Sequence, residues 1–206
     1  MDKTSISYLR DSIKGRMSEK RYIHSLAVVE SAKKIGEYCL ADKLCELSCA
    51  ALLHDVAKEL DEGELRRIIK ESYQDSERIL SYGVEVWHSY AAPCVIKRDF
   101  PVFATDEILS ATKKHTVGSA DMSVFDEIIF ISDYVEPGRT YHSCIKVREY
   151  LFSSLKPDEM ENNIQILHKA CIMATNYTID SLKSRGASIC PESLLLKNAL
   201  ESKIKK

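Results

Sequence analysis

ALLHDVAKEL, residues Ala51–Leu60, joins an oily helical stripe to a pair of polar side chains that can bind metal. Leu44, Leu47, Ala51 and position 54 recur at spacings of three and four, one side of a 3.6-residue period. Position 54 is histidine, position 55 is aspartate, and Lys58 lies one turn further on. An apolar face that ends in His-Asp needs a partner for them, because a desolvated polar group left unpaired costs several kcal/mol. At helical pitch two neighbours diverge by about 100°, so such a pair can straddle one cation or reach two.

Working outward, helix signals dominate and strand-like alternation is scarce. Ser18 is placed to cap a helix through EKRYIHSLAVVESAKKIGEYC, and Asp42 to cap the next, through KLCELSCAALLHDVAKEL. Asp61 with Glu64 forms a capping pattern before LRRIIKES. Thr105 precedes TDEILSATKKH as a cap, and Ser123 precedes VFDEIIFISDYVE, which stops at Pro137-Gly138. A long helix is predicted over 158–183, and Pro191 opens a last short one. With no repeat, low-complexity tract or Pro/Gly/Ser linker, the 206 residues read as one all-α domain over 1–206, with a core of about 18–150 and C-terminal helices over 158–206.

Composition closes off several classes. A formal charge of −2 carries no basic surplus for a nucleic-acid polymer or an anionic membrane. No apolar run is long enough to span a bilayer, and the N-terminus has no signal-peptide core. The seven cysteines are odd in number and include no C-x-x-C pair. Cys39, Cys45, Cys49 and Cys171 sit in helix-like apolar patterns and read as buried thiols of a reducing, cytoplasmic compartment.

The six histidines divide into two groups. His24 ends the face of Val28, Ala32, Ile35 and Cys39; His54 ends the stripe already described; His115 follows Ile108, Ala111 and Thr112. His88 follows the single tryptophan in VEVWHSYAA, and Asp133 lies one turn after Ile129 and two after Phe125. A lone inward histidine is ordinarily a hydrogen-bonded core residue. Five or six such groups at stripe ends on separate segments call for a shared compensation, which one or two divalent cations supply at a point. Imidazole with carboxylate suits iron, manganese or zinc, and the lack of a cysteine pattern argues against a structural zinc site. His142, in the loop-like RTYHSC, and His168, mid-helix in IQILHKAC, read as structural or surface residues.

The order His24, His54-Asp55, His88, His115, Asp133 resembles the HD-domain phosphohydrolase superfamily in its two-metal form. RYIHSLAVVESAKKIG, AALLHDVAKEL, VWHSYAA and KKHTVGSADMSVFDEIIFISDYVEPGR together resemble the YqeK family, from about Tyr22 to Arg148. That resemblance implies an all-α HD-domain fold and symmetrical hydrolysis of diadenosine tetraphosphate to two ADP by a hydroxide activated between two metals. It implies that His24, His54, Asp55 and Asp133 hold one metal, and that Asp55 bridges to a second completed by His88 and His115. Iron comes first, with manganese, cobalt or another divalent ion as alternatives. Asp55, Lys58 and Arg139 would be the catalytic groups. Lys58, Thr116, Gly118, Glu136, Pro137, Gly138, Arg139 and Arg148 would meet the substrate.

On spacing alone Lys58 equally fits an exposed i,i+4 pair with Glu62, and an arginine after a Pro-Gly turn is commonly exposed. Tyr134 fits either a core aromatic or a residue beside the base. The chain departs from the family in having Ser132 before Asp133, Pro93 five residues after His88, and no basic or proline residue in the TVGSAD loop. Two other readings stand beside this one: an HD-type nucleotidase or nucleoside triphosphate hydrolase, and a non-catalytic helical nucleotide-binding or regulatory protein. Exposed apolar positions in PESLLLKNAL make a homodimer an expectation as well.

Overall fold

The computed structural model describes residues 3–204, so the domain expected over 1–206 runs past the described residues at both ends. Eleven helices make up the described chain, with no strand among these residues: α1 (Lys3–Lys14), α2 (Glu19–Cys39), α3 (Leu44–Leu53), α4 (Glu62–Ser72), α5 (Ser76–Leu80), α6 (Val84–Asp99), α7 (Asp106–Lys114), α8 (Val124–Val135), α9 (His142–Ser154), α10 (Met160–Ser184) and α11 (Pro191–Lys203).

The starts follow from local chemistry. The Ser18, Asp61 and Thr105 side chains accept from the backbone N–H groups of Arg21, Glu64 and Ile108. Ser123 and Asp126 satisfy one another's backbone in a full capping box at α8. Asp42 does not cap α3: it lies in a short 3₁₀ turn, Ala41–Lys43, and Lys43 precedes the helix with no side-chain cap. Pro93 does not stop α6, which runs through it to Asp99. His142 is not in a loop but opens α9, where it is exposed.

The helix expected through Ala51–Leu60 is the informative departure. It ends at Leu53, and the chain continues as tight turns, with Val56 N–H on Leu53 O (3.1 Å) and Lys58 N–H on Asp55 O (2.9 Å). The His54 ring supplies the reason. Its Nδ1 lies 2.7 Å from Ala51 O and takes the carbonyl that the Asp55 N–H would use to extend the helix.

Helices α2, α3, α7 and α8 pack on one another, α6 flanks α7, and α10 lies across α8 and α2 while carrying α9 and α11. Val28, Ala32, Ile35, Leu47, Leu52, Leu53, Ile108, Ile128 and Ile129 are wholly buried in the resulting core. Each large side chain so buried contributes roughly 1.5–3 kcal/mol. The seven cysteines are free thiols, with Cys39, Cys49, Cys144 and Cys171 buried and Cys45 half-buried. Of the leucines in α11, Leu196 and Leu200 are buried, while Leu194 and Leu195 are exposed.

Leu196 is seated against Gly118, which turns the chain after α7 at φ +74°. A Cβ there would run into the Leu196 side chain as well as straining the backbone. Gly118→Ala should therefore lower stability by about 1–3 kcal/mol. A urea midpoint equal to that of the wild type would show that α11 can shift to make room.

Candidate metal centre

The apolar stripes bring six side chains to one place. His54 caps the C-terminus of α3, His115 caps that of α7, and Asp133 lies in the last turn of α8. Three helix carbonyl ends thus point their negative dipole poles at one centre, which favours a cation there. His24 enters from the first turns of α2 and His88 from those of α6. His54, Asp55, His88 and His115 are at most 5% exposed.

Asp55 stands in the middle. Its Oδ1 is 3.3 Å from His88 Nε2 and 3.5 Å from His115 Nε2. Its Oδ2 is 3.5 Å from His54 Nε2 and 3.8 Å from His24 Nε2. Asp133 Oδ1 adds a second carboxylate 3.1 Å from His24 Nε2. Among the described residues, two sets have donor atoms within 4.8 Å of one another: His24, His54 and Asp133, and His54, Asp55 and His115. His88 stands just outside these sets, with Lys58 Nζ at 3.1 Å from its Nδ1 and 3.2 Å from Glu85 O. No Lys58–Glu62 pair forms among the described contacts; Glu62 meets Arg66 at 3.4 Å.

The donor set fits divalent cations on its own chemistry. His54 Nδ1 faces Ala51 O at 2.7 Å and His115 Nδ1 faces Thr112 O at 2.8 Å. A carbonyl only accepts, so each Nδ1 carries the hydrogen and each Nε2 presents a lone pair. His24 Nδ1 faces Glu136 Oε1 at 3.3 Å, which leaves its Nε2 bare in the same way. The His24 and His54 Nε2 atoms then meet at 3.3 Å, and those of His88 and His115 at 3.2 Å. Lone pairs converging on one another and on two carboxylates repel unless positive charge lies between them. A metal-ligating imidazole whose other nitrogen is held by a carbonyl or carboxylate is the usual arrangement.

The protonation tendencies follow the same crowding. Burial opposes charge on His54, but Asp55 and Asp133 outweigh it and raise its pKa. Burial likewise opposes the Asp55 carboxylate, yet the His54, His115 and His88 rings hold it well below the usual range. Burial, with His115 and Lys58 nearby, pushes His88 down to about 4, so it is neutral and donor-ready at pH 7. Lys58 is lowered, chiefly by burial.

Other expected positions sort by distance from this centre. Thr116 Oγ1 is 3.0 Å from His115 Nε2 and 3.2 Å from His88 Nε2. Arg139 binds Asp133 Oδ1 (2.6 Å) and is half-exposed. Glu136 is buried at His24 Nδ1 and takes the Gly138 N–H, and both Glu136 and Gly138 line a cleft that His24 also borders. Arg148 donates to the Val135, Glu136 and Arg139 carbonyls, so it shapes the Glu136–Arg139 turn from behind. Gly118 faces α11, and Pro137 is exposed. His168 is buried at 2.6 Å from Glu127, a core residue.

Arg21 was not anticipated. Its guanidinium binds Asp55 directly from α2, beside the centre. Its place three residues before His24, on the same helix face, is the signal that would have found it.

This fold and constellation define a class: the chain belongs to the HD domain family, whose model matches residues 21–138. Within that class three similar curated proteins share a name. A symmetrical bis(5′-nucleosyl)-tetraphosphatase of Staphylococcus aureus is 32% identical over 82% of this chain and 88% of its own. One of Halalkalibacterium halodurans is 31% identical over 91% of this chain and 92% of its own. Among solved structures, a Clostridium acetobutylicum protein described as a predicted HD superfamily hydrolase involved in NAD metabolism superposes with a TM-score of 0.78 and 26% identity. It covers 96% of this chain and 97% of that one. No described helix is long and apolar enough to cross a membrane.

Proposed function

We propose that this protein hydrolyses diadenosine tetraphosphate symmetrically, releasing two ADP, with two divalent cations held by His24, His54, Asp55, His88, His115 and Asp133. The names of its relatives supply the substrate. The observation that carries the reaction is the division of Asp55: one carboxylate oxygen faces His24 and His54, the other His88 and His115. A single carboxylate shared between two imidazole pairs is a donor set that would hold two cations for phosphoanhydride cleavage. Bound there, the cations would supply charge neutralisation at the phosphates and a water acidified towards neutral pH.

The chain's own groups do the rest. Asp55 and Asp133 would supply the carboxylates that hold the cations, and Glu136 orients His24 through Nδ1. Arg139 spends two N–H groups on Asp133 and keeps others for a phosphate oxygen at the open side. Lys58 provides a compact ammonium on the His88 side, and Thr116 a hydroxyl beside His88 and His115. Attack by water at one inner phosphorus breaks its bond to the central bridging oxygen: the water oxygen stays on one ADP, the bridging oxygen leaves as the terminal oxygen of the other, and the water's protons pass to solvent or product phosphate. Iron is the first choice of metal, with manganese or cobalt as alternatives, and the seven free thiols accord with a cytoplasmic protein.

The test is product analysis on diadenosine tetraphosphate, with metal analysis of the same anaerobic sample. ADP as the sole nucleotide product, with bound transition metal, is the expected result. AMP with ATP, or inorganic phosphate, would redirect the assignment to another HD hydrolase. Absence of metal, and of activity after adding iron, manganese or cobalt, would end it.

A further inference from the structure

Two clefts flank the centre, of about 490 and 560 Å³. They share only Arg139 and Tyr141 among their lining residues. The smaller includes Asp133 in its wall and the larger includes His24, and these two side chains are 3.1 Å apart. Both clefts therefore adjoin the His24–Asp133 edge of the centre, with Arg139 and Tyr141 as their common border. Both are of ligand-binding size.

The smaller cleft is aromatic. Tyr134, Tyr141 (71% exposed) and Tyr177 of α10 (38% exposed) all line it. Tyrosine faces left open to solvent beside a phosphate-binding centre are suited to stacking a nucleobase, at roughly 1–3 kcal/mol per base. The larger cleft is lined by three cations, Lys20, Arg21 and Arg139, and by two acids, Glu59 and Glu136, so it carries a mixed polar wall with one positive charge in excess.

Resting on the function proposed above, we infer that the two clefts are paired nucleoside-diphosphate sites. The cleft lined by Tyr141 and Tyr177 stacks the base of one half of the substrate, and the α2-side cleft takes the other half. A dinucleotide cut at its middle has two equal halves to seat, and two clefts of similar size meeting at the cut provide for both. The His24–Asp133 edge, where the two clefts meet the centre, then lies beside the middle of the polyphosphate chain.

The test compares Tyr177→Ala with Tyr177→Phe on diadenosine tetraphosphate, reading KM and kcat separately. Stacking uses the ring face, so Tyr177→Ala should raise KM about tenfold with kcat within twofold. Tyr177→Phe should behave as the wild type. Melting curves of both variants verify the fold, and a KM rise accompanied by loss of fold is resolved by Tyr141→Ala, which is 71% exposed and should raise KM similarly. An unchanged KM in Tyr177→Ala and Tyr141→Ala, or equal damage from Tyr177→Phe, would overturn the paired-site inference while ADP formation by the wild type left the proposed function standing. A wild type that forms no ADP would overturn both.

Discussion

Asp55→Asn should reduce turnover on the order of 10³-fold or more, strip the protein of most of its bound metal, and leave the far-UV helical signal intact. The amide is nearly isosteric with the carboxylate, so packing is unchanged. What disappears is the anion that meets four imidazoles and the Arg21 guanidinium at once. Without it, Arg21 and any cation at the centre repel one another, and the two imidazole pairs lose the group that joins them. Turnover, metal content and circular dichroism on one preparation make the check. Full activity in the variant would show that Asp55 is a bystander, and the mechanism would have to be rebuilt around Asp133.

The largest effect on stability is expected away from the centre, at Glu127. This residue is wholly buried in α8, with Oε2 at 2.6 Å from His168 Nδ1 of α10 and Oε1 at 3.1 Å from Lys203 Nζ of α11. Lys203 also donates to Met122 O (3.0 Å), at the loop before α8. One carboxylate thus ties three helices. Glu127→Gln keeps the volume but removes the charge, and breaking such a pair is expected to cost about 2–4 kcal/mol. In a domain of this size that lowers Tm by roughly 5–15 °C. Turnover per folded molecule should be little altered, because Glu127 touches none of the six metal-capable side chains. Calorimetry against the wild type measures it, and an unchanged Tm would mean that the network contributes specificity of packing without net stability.

The helical architecture was legible because caps and apolar periodicity are local signals: α2 begins and ends where Ser18 and the 19–39 pattern place it. The α9 helix was hidden by its mixed composition, although Cys144, Val147 and Leu151 do keep helical spacing on its buried face. The stop after Leu53 was not legible at all. It arises from a side-chain nitrogen competing for a backbone carbonyl, and periodicity carries no record of that competition. At the centre, the six metal-capable residues announced themselves as polar ends of oily stripes. Their partners did not. Glu136 and Arg148 were both expected at the substrate, but no local pattern records what they hold: His24, 112 positions away, and three backbone carbonyls.

His54 and His115 fold back on the carbonyls three residues before them and so close the helices that carry them. Each ring is a full stop as well as a proposed ligand, and replacing it with alanine deletes both meanings together: a helix frays in the same variant that loses a nitrogen. Asparagine separates them, since its amide N–H can still reach the carbonyl while offering no imidazole. Differences between the asparagine and alanine variants would therefore report on helix termination, and what they share would report on coordination.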